Sequence, residues 1–159
     1  MDRHDALAHF LALSAHLTGH GTQRLTATGM AEIYLDTVTE RAGAANVAAL
    51  LETFEAHVAP ADEPDRAMRL AILGDARLGT MARHLIKLWY VGTWYEMPAA
   101  WRERFGAGLQ GGDVIPTPAA YTEGLLWPTV GANPPGAKPF GYAMWARPPR
   151  VTLDPAPQG

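Results

Sequence analysis

Apolar residues in the first half of the chain recur three and four positions apart, which is the spacing of an amphipathic helix. Leu7, Phe10 and Leu17 mark a first helix, which we expect to end at Gly19. Two further stripes share this spacing and stop before a glycine or a proline. They are Met30, Ile33, Tyr34, Thr37 and Val38 before Gly43, and Val47, Leu50, Leu51, Phe54 and Val58 before Pro60.

A fourth helix is predicted after Asp62. Asp62 and Pro64 are typical of a helix cap and a first helical turn. The helix carries Leu70 and Ile72 as its apolar residues, and Gly74 is expected to break it.

The most apolar and aromatic run of the sequence, Met81–Trp94, predicts the central helix of the fold. This helix is expected to begin near Leu78 and to end at Gly92, because glycine commonly closes helices in a left-handed turn. The chain changes character after it, since eleven of the thirteen prolines follow. We therefore expect helices on one side of this central helix and an irregular segment on the other.

The second half predicts little regular structure. A short helix is expected over Pro98–Arg104, a loop over Gly106–Pro118, and another short helix over Ala119–Trp127 that Pro128 stops. The remainder is too rich in proline and glycine for a helix or a central strand. It nevertheless contains large apolar side chains, which must be buried either on this domain or on a partner.

These patterns predict an all-α fold: a single-domain helical bundle of about five helices with a long, irregular C-terminal wrap. The bundle comprises residues 1–94, and residues 95–159 form a loop-rich, partner-wrapping segment of the same domain. A length of 159 residues fits one domain.

Composition excludes several classes of function. A net charge of -3 argues against sequence-independent binding of nucleic acid. With no cysteine, the chain has no thiolate nucleophile and no disulfide, and its one serine, Ser14, lacks the motif of serine hydrolases. There is no apolar run long enough to span a membrane and no secretion signal, so a cytoplasmic location is expected.

One glycine pattern and one histidine pair resemble ligand-binding motifs, but neither lies in the structural context that its motif requires. Gly106–Gly111 matches G-x-G-x-x-G, but it follows no predicted strand and opens no helix, so a loop is predicted. His16 and His20 are four residues apart, but the helix must end at Gly19 between them, so surface histidines are predicted rather than a metal site.

Charged residues leave two possibilities open. Asp113 and Glu123 could form an acid–base pair if the fold brings them into one pocket. Arg77, Arg83 and Lys87 could form a basic ridge, for which solvated helix surface is the simpler interpretation and a protein contact the alternative.

All five tryptophans lie in the second half of the chain. Trp89 fits the core. For Trp94, Trp101 and Trp145, burial in the core and contact with a partner are equally compatible with the sequence, because tryptophan is enriched in both places.

Several short motifs, in order, carry a family resemblance. They are F-x-x-L-S-x-x-L-T-G at Phe10–Gly19, L-x-x-L-W-Y-x-G at Leu85–Gly92, Y-x-E-x-L-x-W at Tyr121–Trp127, and a final stretch containing Pro135–Gly136 and W-A-x-P-P at Trp145–Pro149. The chain thereby resembles the small subunit of membrane-associated FAD-dependent sugar and polyol dehydrogenases, such as the sorbitol, fructose and glucose dehydrogenases.

The resemblance implies a subunit that is not catalytic by itself. It would bind no cofactor and would stabilise a larger, FAD-containing subunit of the glucose–methanol–choline type. A cytochrome subunit is a further candidate partner. Many members carry a twin-arginine export signal, which this sequence lacks, so a periplasmic location is expected only if such a signal was removed. The chain also lacks the cysteine common in the family's closing segment and has a longer insertion between Trp94 and Tyr121.

Candidate contacts with that partner are aromatic residues and prolines of the second half. They are Trp94, Trp101, Tyr121, Trp127, Phe140, Tyr142, Trp145, Pro148 and Pro149. The alternatives are a small independent acid–base enzyme and a helical adaptor unrelated to redox chemistry. If the first interpretation is right, Trp145→Ala should weaken assembly by about 2 kcal/mol or more.

Overall fold

The computed structural model describes residues 2–106 and 111–135. These residues form an all-α fold, as predicted. The helices are α1 (Arg3–Thr18), α2 (Thr22–Ala27), α3 (Ala31–Ala42), α4 (Ala44–His57), α5 (Pro64–Ala67, continued by a π-helical stretch, Met68–Leu73), α6 (Leu78–Val91), α7 (Ala99–Phe105), α8 (Pro118–Thr122) and α9 (Leu126–Thr129).

The ends of the long helices follow from local chemistry. The Asp2 carboxylate accepts a hydrogen bond from the amide N of Asp5 at 2.8 Å and so caps the start of α1. Helices α1 and α6 both end at glycines in the left-handed conformation, Gly19 with φ 74° and Gly92 with φ 75°. Both glycine ends were predicted from the sequence.

Helix α6 lies at the centre of the core, as its composition predicted. It packs against α1, α3, α4 and the π-helical stretch. Trp89 contacts two of these helices: its ring centroid lies 4.8 Å from that of Tyr34 in an edge-to-face arrangement and 6.3 Å from that of Phe10 in a tilted one. This geometry is the favoured one for aromatic pairs, and it fixes α1 and α3 against the same side chain.

The second half of the described chain shares this core. Ala120 and Leu125 are completely buried, and Trp94 forms an isolated antiparallel bridge with Val114. The amide N of each of these two residues donates to the carbonyl O of the other at 2.8 Å. These contacts therefore hold the segment after α6 against the bundle.

The fourth predicted helix has a different register from the one expected. Its first turn begins at Pro64, as predicted, but Met68–Leu73 is π-helical. Met68 and Ile72 are buried, and Leu70 is 72% exposed. The prediction that Leu70 lies on the apolar face together with Ile72 is wrong, because residues two positions apart do not share a helix face.

The helix predicted over Ala119–Trp127 is two helices, α8 and α9. Gly124 separates them where the chain passes Tyr90, and a Cβ atom at Gly124 would lie 2.8 Å from the Tyr90 carbonyl oxygen. Pro128 lies inside α9 instead of stopping it. A proline is tolerated there because the first turn of a helix has no internal partner for its backbone N–H.

Three further expectations concern the size and extent of the bundle. The predicted number of about five helices is not confirmed, because short helices, including the unpredicted α2, lie between and after the long ones. The C-terminal wrap falls mainly on residues 136–159, which lie outside the described residues. Within residues 2–106 and 111–135, no helix has the length and apolarity needed to cross a bilayer.

Candidate functional site

Two of the resemblance motifs meet at the C-terminal end of α6. The indole N–H of Trp89 donates to Ser14 Oγ at 2.9 Å, and both side chains are buried. The next residue, Tyr90, donates its hydroxyl to the carbonyl O of Thr18 at 2.8 Å. Segments more than seventy residues apart in sequence are thus joined by two adjacent aromatic residues.

The third described motif joins the same place through its backbone. The amide N of Leu125 donates to the Trp89 carbonyl O at 3.0 Å. The approach at Gly92 is so close that a Cβ atom there would lie 2.3 Å from the carbonyl oxygen of Ala120. The motif glycine is therefore required both for its left-handed backbone and for the space it leaves to α8.

An open apolar groove of about 290 Å³ lies beside this junction. None of its lining side chains carries a formal charge. The lining consists of Tyr90, Val91, Thr93, Ile115, Tyr121, Leu126 and Trp127. We call the exposed apolar residues among these, Val91, Ile115, Tyr121 and Leu126, the groove rim.

The groove brings together two of the predicted partner contacts. Tyr121 is 40% exposed, and its ring meets that of Trp127 edge to face at 5.3 Å. The Trp127 indole N–H donates to the Tyr121 carbonyl O at 2.7 Å, which satisfies its polar atom and holds the ring in place. These two residues form a fixed aromatic wall, and their contact with a partner stays a prediction.

Trp94 and Trp101 lie in the core of this chain and do not present a surface to a partner. Trp94 is 1% exposed and its ring lies 5.6 Å from that of His84. Trp101 is 5% exposed, and its indole N–H donates to the Arg77 carbonyl O at 3.0 Å. Of the two interpretations that the sequence left open, burial in the core is the one the structure supports for both residues.

The remaining predicted contacts fall in one segment. Phe140, Tyr142, Trp145, Pro148 and Pro149 all lie outside the described residues.

Sequence reasoning missed three residues of the groove rim. Val91 had been assigned to the central helix, Ile115 to a loop and Leu126 to the interior of a short helix. The three come from separate parts of the sequence, and 57% exposure of an isoleucine in a loop becomes notable only when the fold places it beside the others.

The two carboxylates considered as an acid–base pair have separate local environments. Asp113 is exposed, and its carboxylate accepts a hydrogen bond from the amide N of Glu96 at 2.8 Å. Glu123 lies near Tyr34, whose pKa is raised by burial and, to a smaller extent, by the negative charge of Glu123. Neither carboxylate lines the groove.

The histidines and glycines singled out earlier serve as structural residues where they are described. The ring of His16 packs against Phe54 at 5.5 Å, and that of His20 against Tyr90 at 6.0 Å. Among the described residues, no group of three or more histidine and acidic side chains could hold a metal ion. Gly106 follows α7 rather than a strand, and residues 107–110 lie outside the described part of the chain.

The three basic residues each contact another group of this chain. Arg77 donates to Asn46 Oδ1 at 2.6 Å and Arg83 to the Leu73 carbonyl O at 3.0 Å. The Lys87 ammonium lies over the Tyr95 ring, 5.4 Å from its centroid. Each cation therefore has its own partner within the chain.

Comparison of the chain with protein families, with curated proteins and with solved structures finds no match.

Proposed function

We propose that this chain is a non-catalytic small subunit that stabilises a larger FAD-dependent sugar or polyol dehydrogenase of the glucose–methanol–choline type. The observation that carries the proposal is the junction at Trp89 and Tyr90. Three motifs that resemble the small subunits meet there, and residues of two of them line an exposed apolar groove. We take the groove that two of these motifs line to be the docking surface for the larger subunit.

The groove is suited to binding a protein rather than to catalysis. Its lining residues are tyrosine, tryptophan, threonine and aliphatic side chains, which bring no nucleophile activated by a neighbouring base. Tyrosine and tryptophan are enriched where partners meet, and a rigid aromatic wall loses little conformational entropy on docking. The larger subunit would dock on the groove rim together with the aromatic C-terminal segment.

The division of labour follows from this arrangement. Flavin and the residues that oxidise the sugar belong to the larger subunit, and a cytochrome subunit is the candidate third component. Obligate interfaces bury about 2,000 Å² or more in total. A surface of that size requires more than the groove rim, which is consistent with a contribution from residues 136–159.

The proposal is tested by isolating the chain from its natural source under native conditions. We expect it to elute with a larger polypeptide that shows a flavin absorbance spectrum and reduces an artificial electron acceptor when a sugar or polyol is added. The chain produced alone should be colourless and inactive with the same acceptor and the same sugars.

Two outcomes would contradict the proposal. Oxidation of a sugar by the chain alone would show that it is itself an enzyme, and loss of that activity in Glu123→Gln would indicate the acid–base alternative. A stable native complex with a larger protein that holds no flavin would favour an adaptor unrelated to redox chemistry.

A further inference from the structure

We infer that the groove is filled by this chain's own C-terminal segment, with the aromatic side chains of residues 140–146 seated against Tyr121 and Trp127. This inference does not rest on the proposed function, because an exposed apolar groove has to be covered whether or not a dehydrogenase is the partner. If both hold, the segment completes the docking surface before the larger subunit arrives.

Three residues before the last described one, the chain is bonded to a residue that lines the groove. After α9, the amide N of Ala132 donates to the carbonyl O of Trp127 at 2.9 Å, and Trp127 lines the groove. Phe140 follows Ala132 by eight residues, which can span at most about 29 Å. The first aromatic residue of the segment is therefore tethered within reach of the groove.

The segment and the groove match in charge. Residues 140–146, FGYAMWA, carry no charged side chain, while Lys138 and Arg147 flank them. The groove lining is uncharged as well. Docking would bury the apolar run without desolvating a charge and would leave both flanking cations free to reach water.

The groove also matches the segment in size. A buried cavity of about 150 Å³ holds one benzene ring. The groove, at about 290 Å³, therefore has room for one or two aromatic rings. The segment offers Phe140, Tyr142 and Trp145, so the groove holds part of it and the rest stays at its edge.

Tethering favours this occupant over a separate molecule. A short flexible linker gives an effective concentration of the order of millimolar. At a protein concentration of about 10 μM, the tethered segment therefore outcompetes the segment of a second copy by roughly 100-fold. We accordingly commit to the chain's own segment.

The absence of cysteine makes a direct test possible in the full chain. The variant Ile115→Cys/Ala143→Cys places one thiol on the groove rim and one within the segment, and it keeps every aromatic residue. Under mild oxidation at about 10 μM protein, we expect a disulfide within one polypeptide, at least tenfold faster than any disulfide between copies.

The matched control is Leu70→Cys/Ala143→Cys. Leu70 is exposed, but it lies on the π-helical stretch and does not line the groove. Equal rates of internal disulfide formation in the two variants would overturn the inference. Disulfide-linked dimers as the main product of Ile115→Cys/Ala143→Cys would assign the groove to a second copy and would also overturn it.

A second measurement covers the case in which the thiols meet in a poor geometry for a disulfide. The single variant Ile115→Cys should react slowly with a maleimide, and adding Phe140→Ser, Tyr142→Ser and Trp145→Ser should accelerate the reaction at least fivefold. An unchanged rate, with the helical circular dichroism preserved, would show that the segment does not cover the groove. Both experiments use the isolated chain, so their outcome is independent of whether a flavoprotein partner exists.

Discussion

The indole N–H of Trp89 and the hydroxyl of Ser14 form a buried hydrogen bond of 2.9 Å between α6 and α1. Ser14 is the only serine of the sequence, and it faces the core rather than solvent. A serine on the apolar face of a helix is explained by this bond, because a tryptophan buried as deeply as Trp89 needs an acceptor for its one polar atom.

Ser14→Ala should lower the free energy of unfolding by about 1–3 kcal/mol, because it leaves the indole N–H buried without an acceptor. The measurement is urea unfolding followed by circular dichroism. The double variant Ser14→Ala/Trp89→Phe removes both polar atoms, so the two single effects should not add. Full additivity in this cycle would contradict a direct bond between the two residues.

Gly92→Ala and Gly19→Ala form a matched pair of predictions on the two helix ends. Both glycines have φ near +75°, but their surroundings differ. A Cβ atom at position 92 would lie 2.3 Å from the Ala120 carbonyl oxygen, whereas a Cβ atom at position 19 would meet nothing within 4 Å. Gly19→Ala should therefore lower the free energy of unfolding by about 1–2 kcal/mol, because alanine disfavours the left-handed conformation. Gly92→Ala should cost about 3 kcal/mol or more, because α8 must also move.

Thermal and urea unfolding of the two variants would measure the difference. Equal destabilisation would show that α8 does not press on α6 at Gly92. The same comparison tests the groove, since the contact at Gly92 holds α8 and its neighbour Tyr121 in position.

The long helices of this fold could be predicted from the sequence because the features that define them lie within a few residues of one another. Apolar spacing and terminal glycines gave α1, α3, α4 and α6 with their ends. The π-helical stretch could not be predicted, because its winding depends on contacts with the neighbouring helix: a Cβ atom at Gly79 of α6 would lie 2.5 Å from the Leu73 carbonyl oxygen. The exposure of Leu70 has a simpler reason, since Leu70 and the buried Ile72 are two residues apart and cannot share a helix face.

The groove was only partly predictable. Tyr121 and Trp127 were identified by residue type and motif, but the residues opposite them come from the end of α6 and from a loop. Trp94 and Trp101 were indistinguishable from surface tryptophans in sequence, since neither lies in a regular apolar stripe. Their burial depends on the Trp94–Val114 bridge and on the Arg77 carbonyl, which only the tertiary fold supplies.

Tyr34→Phe should leave stability at neutral pH unchanged or raise it by up to about 1 kcal/mol. Tyr34 is buried, and its hydroxyl has no hydrogen-bond partner among the described residues. Replacing it with phenylalanine keeps the edge-to-face contact with Trp89 and removes a polar atom that was desolvated without compensation.

The same substitution, Tyr34→Phe, should also change how the free energy of unfolding depends on pH under alkaline conditions. Burial, and secondarily the charge of Glu123, raise the pKa of Tyr34 above its ordinary value of 10.0. Above pH 10 the unfolded chain releases this proton while the folded chain retains it, so stability falls as pH rises. Tyr34→Phe lacks this contribution and should lose stability less steeply between pH 10 and pH 11. Identical slopes for the two proteins would contradict the assignment.

Asn46→Ala should lower the free energy of unfolding by about 1–3 kcal/mol, because one buried amide joins three elements. Asn46 Nδ2 donates to the carbonyl O of Ala42 at 2.6 Å and to that of Phe105 at 3.2 Å, and its Oδ1 accepts from Arg77 Nε at 2.6 Å. Hydrogen exchange should accelerate in α7, whose last residue loses its contact. Thr53→Ala is the control on the same helix, since the Thr53 hydroxyl bonds only its own helix, at Ala49. A similar effect of both variants on α7 would contradict the role given to Asn46.

Tyr121→Ala should weaken assembly with the larger subunit by about 2 kcal/mol or more, which is roughly a 30-fold rise in the dissociation constant. Tyr121 is 40% exposed, stands against Trp127 and occupies the rim of an uncharged groove, so it would hold the docking surface that the C-terminal segment completes. Leu70→Ala is the matched control, since it removes a large apolar and more exposed side chain from a surface outside the groove. Isothermal titration of the purified larger subunit with each variant would measure both constants. If Leu70→Ala weakened assembly as much as Tyr121→Ala, the docking surface would have to be sought along the π-helical stretch, and an unchanged constant for Tyr121→Ala would remove the groove rim from the interface.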